Sequence, residues 1–222
     1  KRLDLDTTRS KNAYSNILTD FDTGNIDILI GTQMVTKGLD FDNVNLVGIL
    51  DADMLLNRAN FRAFERSFQL MTQVAGRSGR RKKRGKVIIQ TGDPDHWVIQ
   101  KVIDHDFVSF FESEIIERSN FFYPPFFKII ELTLKHKDEN LLHNASIKLA
   151  SKLRDTFKER VLGPEYPVVK RIYNYYLKKI SIKIEREAND KQVKDRIHEI
   201  VDDFYSTPIH KPIRVIIDVD PA

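Results

Sequence analysis

The chain has 222 residues, 41% of them hydrophobic and 31% charged, enough to bury one ordinary core or two small ones. A net charge of +4 favours polyanionic partners without specifying one, because 36 basic residues stand against 32 acidic ones. There is no cysteine, so no disulfide framework is possible, and the six histidines (96, 105, 136, 143, 198 and 210) are scattered and show no zinc-site pattern; no apolar run is long enough to span a membrane and no signal-peptide pattern is present.

In chain order, Arg2-Leu-Asp-Leu-Asp6 alternates as a short strand, and a start at Lys1 inside that pattern leads us to expect a piece of a longer protein. Thr7 to Ser10 supply capping residues for a helix carrying Ala13, Ile17, Leu18 and Phe21, with Gly24 placed to stop it. Ile26 to Ile30 reads as a buried strand and Asn45 to Leu50 as another. Phe61, Phe64, Phe68, Met71 and Ala75 then advance by three or four, the spacing of one buried helix face, and Lys86 to Gln90 forms a further strand. Strands alternating with helices imply crossovers and a mostly parallel sheet, so residues 1–92 are expected to form an incomplete α/β lobe.

Ligands of open α/β sheets bind outside the carboxyl ends of the strands. There the sequence places Gly31-Thr-Gln-Met-Val-Thr-Lys-Gly-Leu-Asp40 after the second strand and Asp51-Ala-Asp53 after the third. The two aspartates admit two readings, coupling between bound ligands or capping and pairing with Arg58 and Arg62. Arg62, Glu65 and Arg66 form the polar face of the phenylalanine helix. At its end comes Gln73-Val-Ala-Gly-Arg-Ser-Gly-Arg80, with two arginines three residues apart beside Gly76 and Gly79. Guanidinium forks match phosphate oxygens, and glycines let backbone or ligand approach closely. From Arg77 to Lys86 there are seven basic residues and no acidic one. Arg81, Lys82, Lys83 and Arg84 thus read either as solvated surface or as contacts to nucleic-acid phosphates that carry no sequence information.

The stretch 31–40 resembles motif V of superfamily 2 helicases and 73–80 resembles their motif VI. Taken with Leu50-Asp-Ala-Asp53, Phe61-Arg-Ala-Phe-Glu-Arg66, Tyr123-Pro-Pro-Phe126, Leu162-Gly-Pro164 and Ile217-Asp-Val-Asp-Pro221, nearly the whole chain is similar to the C-terminal half of the bacterial primosomal replication-restart helicases. That resemblance implies a RecA-like second helicase lobe. It makes Arg77 and Arg80 arginine fingers on ATP, assigns Gln73 and Gly76 to the nucleotide, Asp40 to the nucleotide or to bracing the motif VI arginines, and Thr32 and Lys37 to the DNA backbone. It further implies 3′ to 5′ movement on DNA, restart of stalled forks, branched and single-stranded DNA as ligands, contacts with single-strand-binding protein and other primosome proteins, and a cytoplasmic location. The family's Walker A loop, DEAH-type motif and cysteine-rich zinc segment would precede Lys1, so ATP and Mg²⁺ would be shared with an absent lobe and the chain alone is expected to be inactive as an ATPase. Another superfamily 2 repair translocase and a non-catalytic binding module are the alternatives.

Residues 93–128 read as two linker helices followed by a Pro-Pro connection, with Pro94 suited to a first turn, Val98, Val102, Phe107, Phe110, Phe111 and Ile115 as apolar positions, and a boundary near 120–128. In 129–222, Ile130, Leu132 and Leu134 alternate; Leu142 to Phe157 steps helically; Ile180, Ile182 and Ile184 alternate; Val193 to Phe204 is helical; and Ile213 to Val219 closes as a strand. With an irregular strand around 166–172, the order is β-α-β-β-α-β, the α+β ferredoxin-like arrangement. Tyr173, Tyr175, Tyr176 and Lys178, with Lys170, Arg171 and Lys179, form a basic-aromatic cluster. It suits stacked unpaired bases and their phosphates, or equally a hairpin with half-buried tyrosines.

Overall fold

The computed structural model describes residues 1–4, 6–7, 12–32, 44–76 and 85–221. Two compact units, Lys1–Glu114 and Ile115–Ala222, divide the chain.

In the first unit, β1 (Arg2–Leu3) pairs in parallel with β2 (Ile30–Gly31). Between them α1 (Ala13–Asp22) buries Ile17 and stops before Gly24, whose φ of 81° a side chain would resist. Strand β1 is shorter than the alternation predicts because Asp4 and Thr7 close a turn. The Thr7 N–H donates to Asp4 Oδ1 and the Asp4 N–H to Thr7 Oγ1, both at 2.9 Å. Thr7 is therefore spent on that turn, and Asn12 stands at the N-cap position of α1. The expected buried strand at 26–30 needs correction. Only Ile30 and Gly31 pair, and Ile28 and Ile30 are 66% and 59% exposed, since the two-residue β1 is their only sheet neighbour among the described residues.

Strands β3 (Leu46–Ile49) and β4 (Lys86–Ile89) are also parallel, Leu46 opposite Lys86. They are joined through α2 (Ala52–Leu56) and α3 (Ala63–Ala75), and α4 (Trp97–Ile103) and α5 (Phe107–Asn120) follow. Ile49, Leu56, Phe68, Met71, Val98, Val102 and Phe110 make one core, in which the Phe68 and Phe110 rings stack 4.2 Å apart. The helical spacing of phenylalanines thus does what it promises: Phe68 and Met71 are inside, with Phe64 packed against them. Two helices do follow Pro94, but α4 starts at Trp97 and His96 caps it, its Nδ1 accepting from the Val98 N–H at 3.3 Å. Phe107 and Phe111 remain exposed.

The second unit has β5 (Phe127–His136), α6 (Glu139–Phe157), β6 (Val161–Glu165), β7 (Arg171–Ile172), β8 (Tyr175–Glu185), α7 (Asp190–Tyr205) and β9 (Arg214–Val219). The sheet runs β6-β8-β5-β9, antiparallel throughout, with β7 forming a hairpin on β8. That is the ferredoxin-like order. Asp138 and Asn189 cap the two helices by accepting from the backbone N–H groups of Leu141 and of Lys191 and Gln192. Because strand side chains alternate between faces, Ile130, Leu132, Leu134, Ile180, Ile182 and Ile184 meet Leu142, Leu149, Leu153, Ile197 and Phe204 of the helices. Glu131, Thr133, Lys135, Lys179, Ser181 and Lys183 take the opposite face.

The second strand of this fold is a correction. It is Val161–Glu165, ahead of the expected 166–172, where only Arg171 and Ile172 pair. Gly163 and Pro164 conceal it in the sequence. Pro164 has no N–H to donate, which an edge strand tolerates, and the register shifts between Leu162 and Glu165. Gly163 holds φ at 90°, and a Cβ there would lie 2.6 Å from the Lys179 carbonyl oxygen. The glycine therefore lets β6 approach β8.

Candidate nucleotide and nucleic-acid site

In the first unit, Thr32 is exposed immediately after the carboxyl end of β2. Gln73 and Gly76 are exposed at the C-terminal end of α3, where the Gly76 N–H donates to the Thr72 carbonyl at 3.0 Å and closes the helix. Burial of Phe68 and Met71 fixes the rotation of α3, and with it the outward setting of Gln73. Asp40 and Lys37, together with Arg77, Arg80, Arg81, Lys82, Lys83 and Arg84, lie outside the described residues.

The two aspartates after β3 act as structural ties. Asp51, at φ 53°, caps α2 and accepts from the Met54 N–H at 3.2 Å. Asp53 accepts from Thr91 Oγ1 at 2.6 Å and from the Gly92 N–H at 2.7 Å, joining α2 to the loop after β4. Those hydrogen bonds, first from Thr91 and then from Gly92, hold the Asp53 carboxyl below its usual range. Asp51 thus caps a helix as one of the two readings has it, and Thr91 and Gly92 take the place of Arg58 and Arg62 as partners of Asp53. Arg62 lies over the Phe61 ring at 5.0 Å.

The donor set that does lie in view suits a polyphosphate: an exposed amide at Gln73 and an uncrowded glycine at Gly76, directly preceding the two sequence arginines. None of these is a carboxylate, and among the described residues no cluster of three His, Asp or Glu side chains could hold a metal. A side-chain amide such as that of Gln73 can donate to the phosphate oxygens of a nucleotide such as ATP.

In the second unit, the basic-aromatic cluster resolves into two faces. Tyr173 and Asn174 make the two-residue turn between β7 and β8, at φ 46° and 67°, and Tyr173 is 95% exposed. Tyr176 packs beside the helix-side core with the Arg171 guanidinium 4.9 Å from its ring centroid. Lys178 falls in register with Ile180 and Ile182, so it points to the helix side and is only 4% exposed. Its ammonium lies 3.5 Å from the Tyr166 ring centroid, and burial pushes its pKa down against the pull of Glu139 and Glu165. This corrects Lys178 as a phosphate contact: the alternation that buries the isoleucines buries the lysine too. Tyr166 is itself held by Glu139, to which its hydroxyl donates at 2.9 Å.

Tyr175 belongs to the opposite, helix-free face. Lys137 Nζ stands 5.7 Å and Arg214 Cζ 5.6 Å from its ring centroid, and Lys135 is paired with Arg214 across β5 and β9. Reading the sequence as local clusters misses Lys135, Lys137 and Arg214, since strand pairing alone brings β9 beside β5. The available signal was alternation, which puts Lys135 on the face of Glu131 and Thr133. Further along this face Lys179 pairs with Glu131 at 2.8 Å. Lys183 donates to the Phe121 carbonyl at 2.6 Å while lying 3.8 Å from the Tyr123 ring centroid.

Residues 2–82 match the helicase conserved C-terminal domain and residues 119–222 the primosomal protein N C-terminal domain. Among curated proteins, the chain is 38% identical to the replication restart protein PriA of Bacillus subtilis over 99% of its own length and 27% of that protein. It is 41% identical to the PriA of Synechocystis over 82% of this chain and 22% of that protein, and 33% identical to that of Borreliella burgdorferi over 90% and 31%. The chain thus spans about a quarter of the length of the relatives it matches. The first unit accordingly carries a RecA-like helicase lobe and the second the C-terminal domain of these proteins.

Proposed function

Because the chain belongs to the PriA family of primosomal replication restart proteins, we propose that it is the part of an ATP-driven DNA helicase that supplies the arginine wall of the nucleotide site and one grip on DNA. Within its helicase domain the motif V and motif VI stretches occur together and in order, and that co-occurrence carries the proposal. When bound, ATP with Mg²⁺ supplies the phosphoryl transfer that drives movement. Arg80, with Arg77, stabilises the charge spread over the transferring group. Gln73, Gly76 and Asp40 orient the nucleotide. Thr32 and Lys37 hold one DNA strand on the same lobe, so opening and closing of the lobe against the rest of the full-length protein moves that strand stepwise, in the 3′ to 5′ direction. Arg81, Lys82, Lys83 and Arg84 add phosphate contacts whose strength falls as salt rises. The second unit binds branched DNA, and the whole protein works in the cytoplasm with single-strand-binding protein and other primosome proteins at stalled forks.

Hydrolysis tests this reading. The full-length protein should hydrolyse ATP faster with single-stranded DNA and unwind a duplex from a 3′ tail, whereas the 222-residue chain alone should show no ATPase. A full-length protein that binds forks yet shows no DNA-stimulated hydrolysis would instead be a non-catalytic binding module.

A further inference from the structure

We propose that the helix-free face of the C-terminal sheet, at its Tyr175 end, is a single-stranded DNA site in which Lys135, Lys137 and Arg214 hold phosphates and Tyr173 stacks an unpaired base. The proposal rests on the reading of the chain as part of a DNA-acting protein and assigns residues to it that lie outside both helicase motifs. Several cations of this unit are matched to carboxylates: Lys128 to Asp190, Lys152 to Asp203, Arg160 to Glu185, and Lys179 to Glu131. Lys135, Lys137 and Arg214 have no carboxylate partner among the described residues, although all three converge on one end of one sheet face. Lys137 and Arg214 sit within 6 Å of the same tyrosine ring, and Lys135 is the cross-strand neighbour of Arg214.

Such a geometry keeps the charges together against their mutual repulsion, and an anion relieves that repulsion. Arg214 is also held in place. The Tyr205 hydroxyl donates to the Ile213 carbonyl at 2.9 Å and accepts from the Val215 N–H at 3.1 Å, fixing the backbone on both sides of the arginine. Two residues before Tyr175, the hairpin turn presents Tyr173 with its ring almost wholly in water. A two-residue turn with both positions at positive φ is the place where Asn-Gly is favoured, so a tyrosine at its first position is locally costly. Beside three uncompensated cations it supplies the π-face that an unpaired base takes. A duplex offers phosphates but no free base, which selects the single strand; an acidic peptide offers charge but no flat partner for the ring.

The test is fluorescence anisotropy of labelled oligo-dT and of a blunt duplex with the 222-residue chain across a salt series. Removing the three cations together (K135A/K137A/R214A) should lower oligo-dT affinity and reduce the slope of log K against log salt by about 2, at roughly 0.7 per phosphate contact. Tyr173→Ala should weaken oligo-dT binding roughly 5- to 150-fold and leave both the salt slope and duplex binding unchanged. Removal of Lys191 and Lys194, exposed on α7, serves as the control and should leave the slope unchanged. Circular dichroism spectra matching the parent chain establish that the variants are folded. Wild-type binding with unaltered affinity and slope in the triple variant overturns the site but not the DNA-acting function; so does a face that takes poly-glutamate as tightly as oligo-dT. Absence of DNA binding by the wild-type chain overturns both.

Discussion

Replacing Gly163 by alanine tests how the C-terminal sheet is closed. At φ 90° an L side chain sits in a region that costs roughly 1–2 kcal/mol, and the added Cβ would come within 2.6 Å of the Lys179 carbonyl oxygen and 3.2 Å of the Glu165 nitrogen. Neither neighbour is a flexible side-chain tip. Lys179 lies in β8, which pairs on both sides, so β6 must retreat or β8 must bend, at about 1–3 kcal/mol for an overpacked contact. Together the two terms come to about 3 kcal/mol, a fall in Tm of roughly 12–24 °C for a unit of this size. Gly24→Ala separates them, because Gly24 has a similar φ of 81° but meets nothing within 4 Å; it should cost only the backbone share. Hydrogen exchange followed by mass spectrometry, read on peptides covering 158–186 and 14–28, reports each locally. If Gly163→Ala costs no more than Gly24→Ala, the close approach of β6 to β8 is not what the glycine serves.

Lys178→Met should leave DNA affinity unchanged and unfolding stability equal or higher, since a buried ammonium is exchanged for a side chain of similar length with no charge to desolvate; titration with oligo-dT and urea denaturation check both halves. Asp106 caps α5 by accepting from the Ser109 N–H and pairs with Lys101 at 2.9 Å, and the Ser109 and Lys101 bonds lower its pKa to about 2. A carboxylate whose folded pKa lies below its unfolded value of about 3.9 stabilises the fold above that value and loses the contribution as pH falls toward 2. Asp106→Asn should therefore flatten the fall in stability between about pH 4 and pH 2, measured by denaturation across that range. Leu149→Ala, at a fully buried position of α6, should cost about 2–5 kcal/mol by urea unfolding, because the helix-side core has no exposed edge at that position through which to relax.

What the sequence makes legible is periodicity, and it succeeds where one period rules. The phenylalanines of α3, the alternating isoleucines of β8 and the leucines of α6 each name their buried face correctly. Strand β6 hides because a glycine and a proline, ordinarily strand breakers, serve a bulged edge there. The 26–30 stretch has a core strand's composition yet lies exposed, which pattern alone does not reveal. Lys178 shows the cost of preferring a local cluster to the alternation around it: its parity with Ile180 and Ile182 already marks it as buried. Lys135, Lys137 and Arg214 meet through pairing of strands 80 residues apart in the chain, roughly, and no window on the sequence holds them together. The chemistry proposed for motif VI, by contrast, rests on a consecutive stretch, Gln73 to Arg80, and not on the fold.

Steady-state ATP hydrolysis by the full-length protein carrying Arg80→Ala, with and without single-stranded DNA, bears most directly on that chemistry. An arginine finger predicts a loss of turnover of roughly 10³- to 10⁵-fold with DNA affinity held within about threefold of wild type. Turnover that stays at half the wild-type rate would remove Arg80 from the nucleotide site and with it the motor assigned to this lobe.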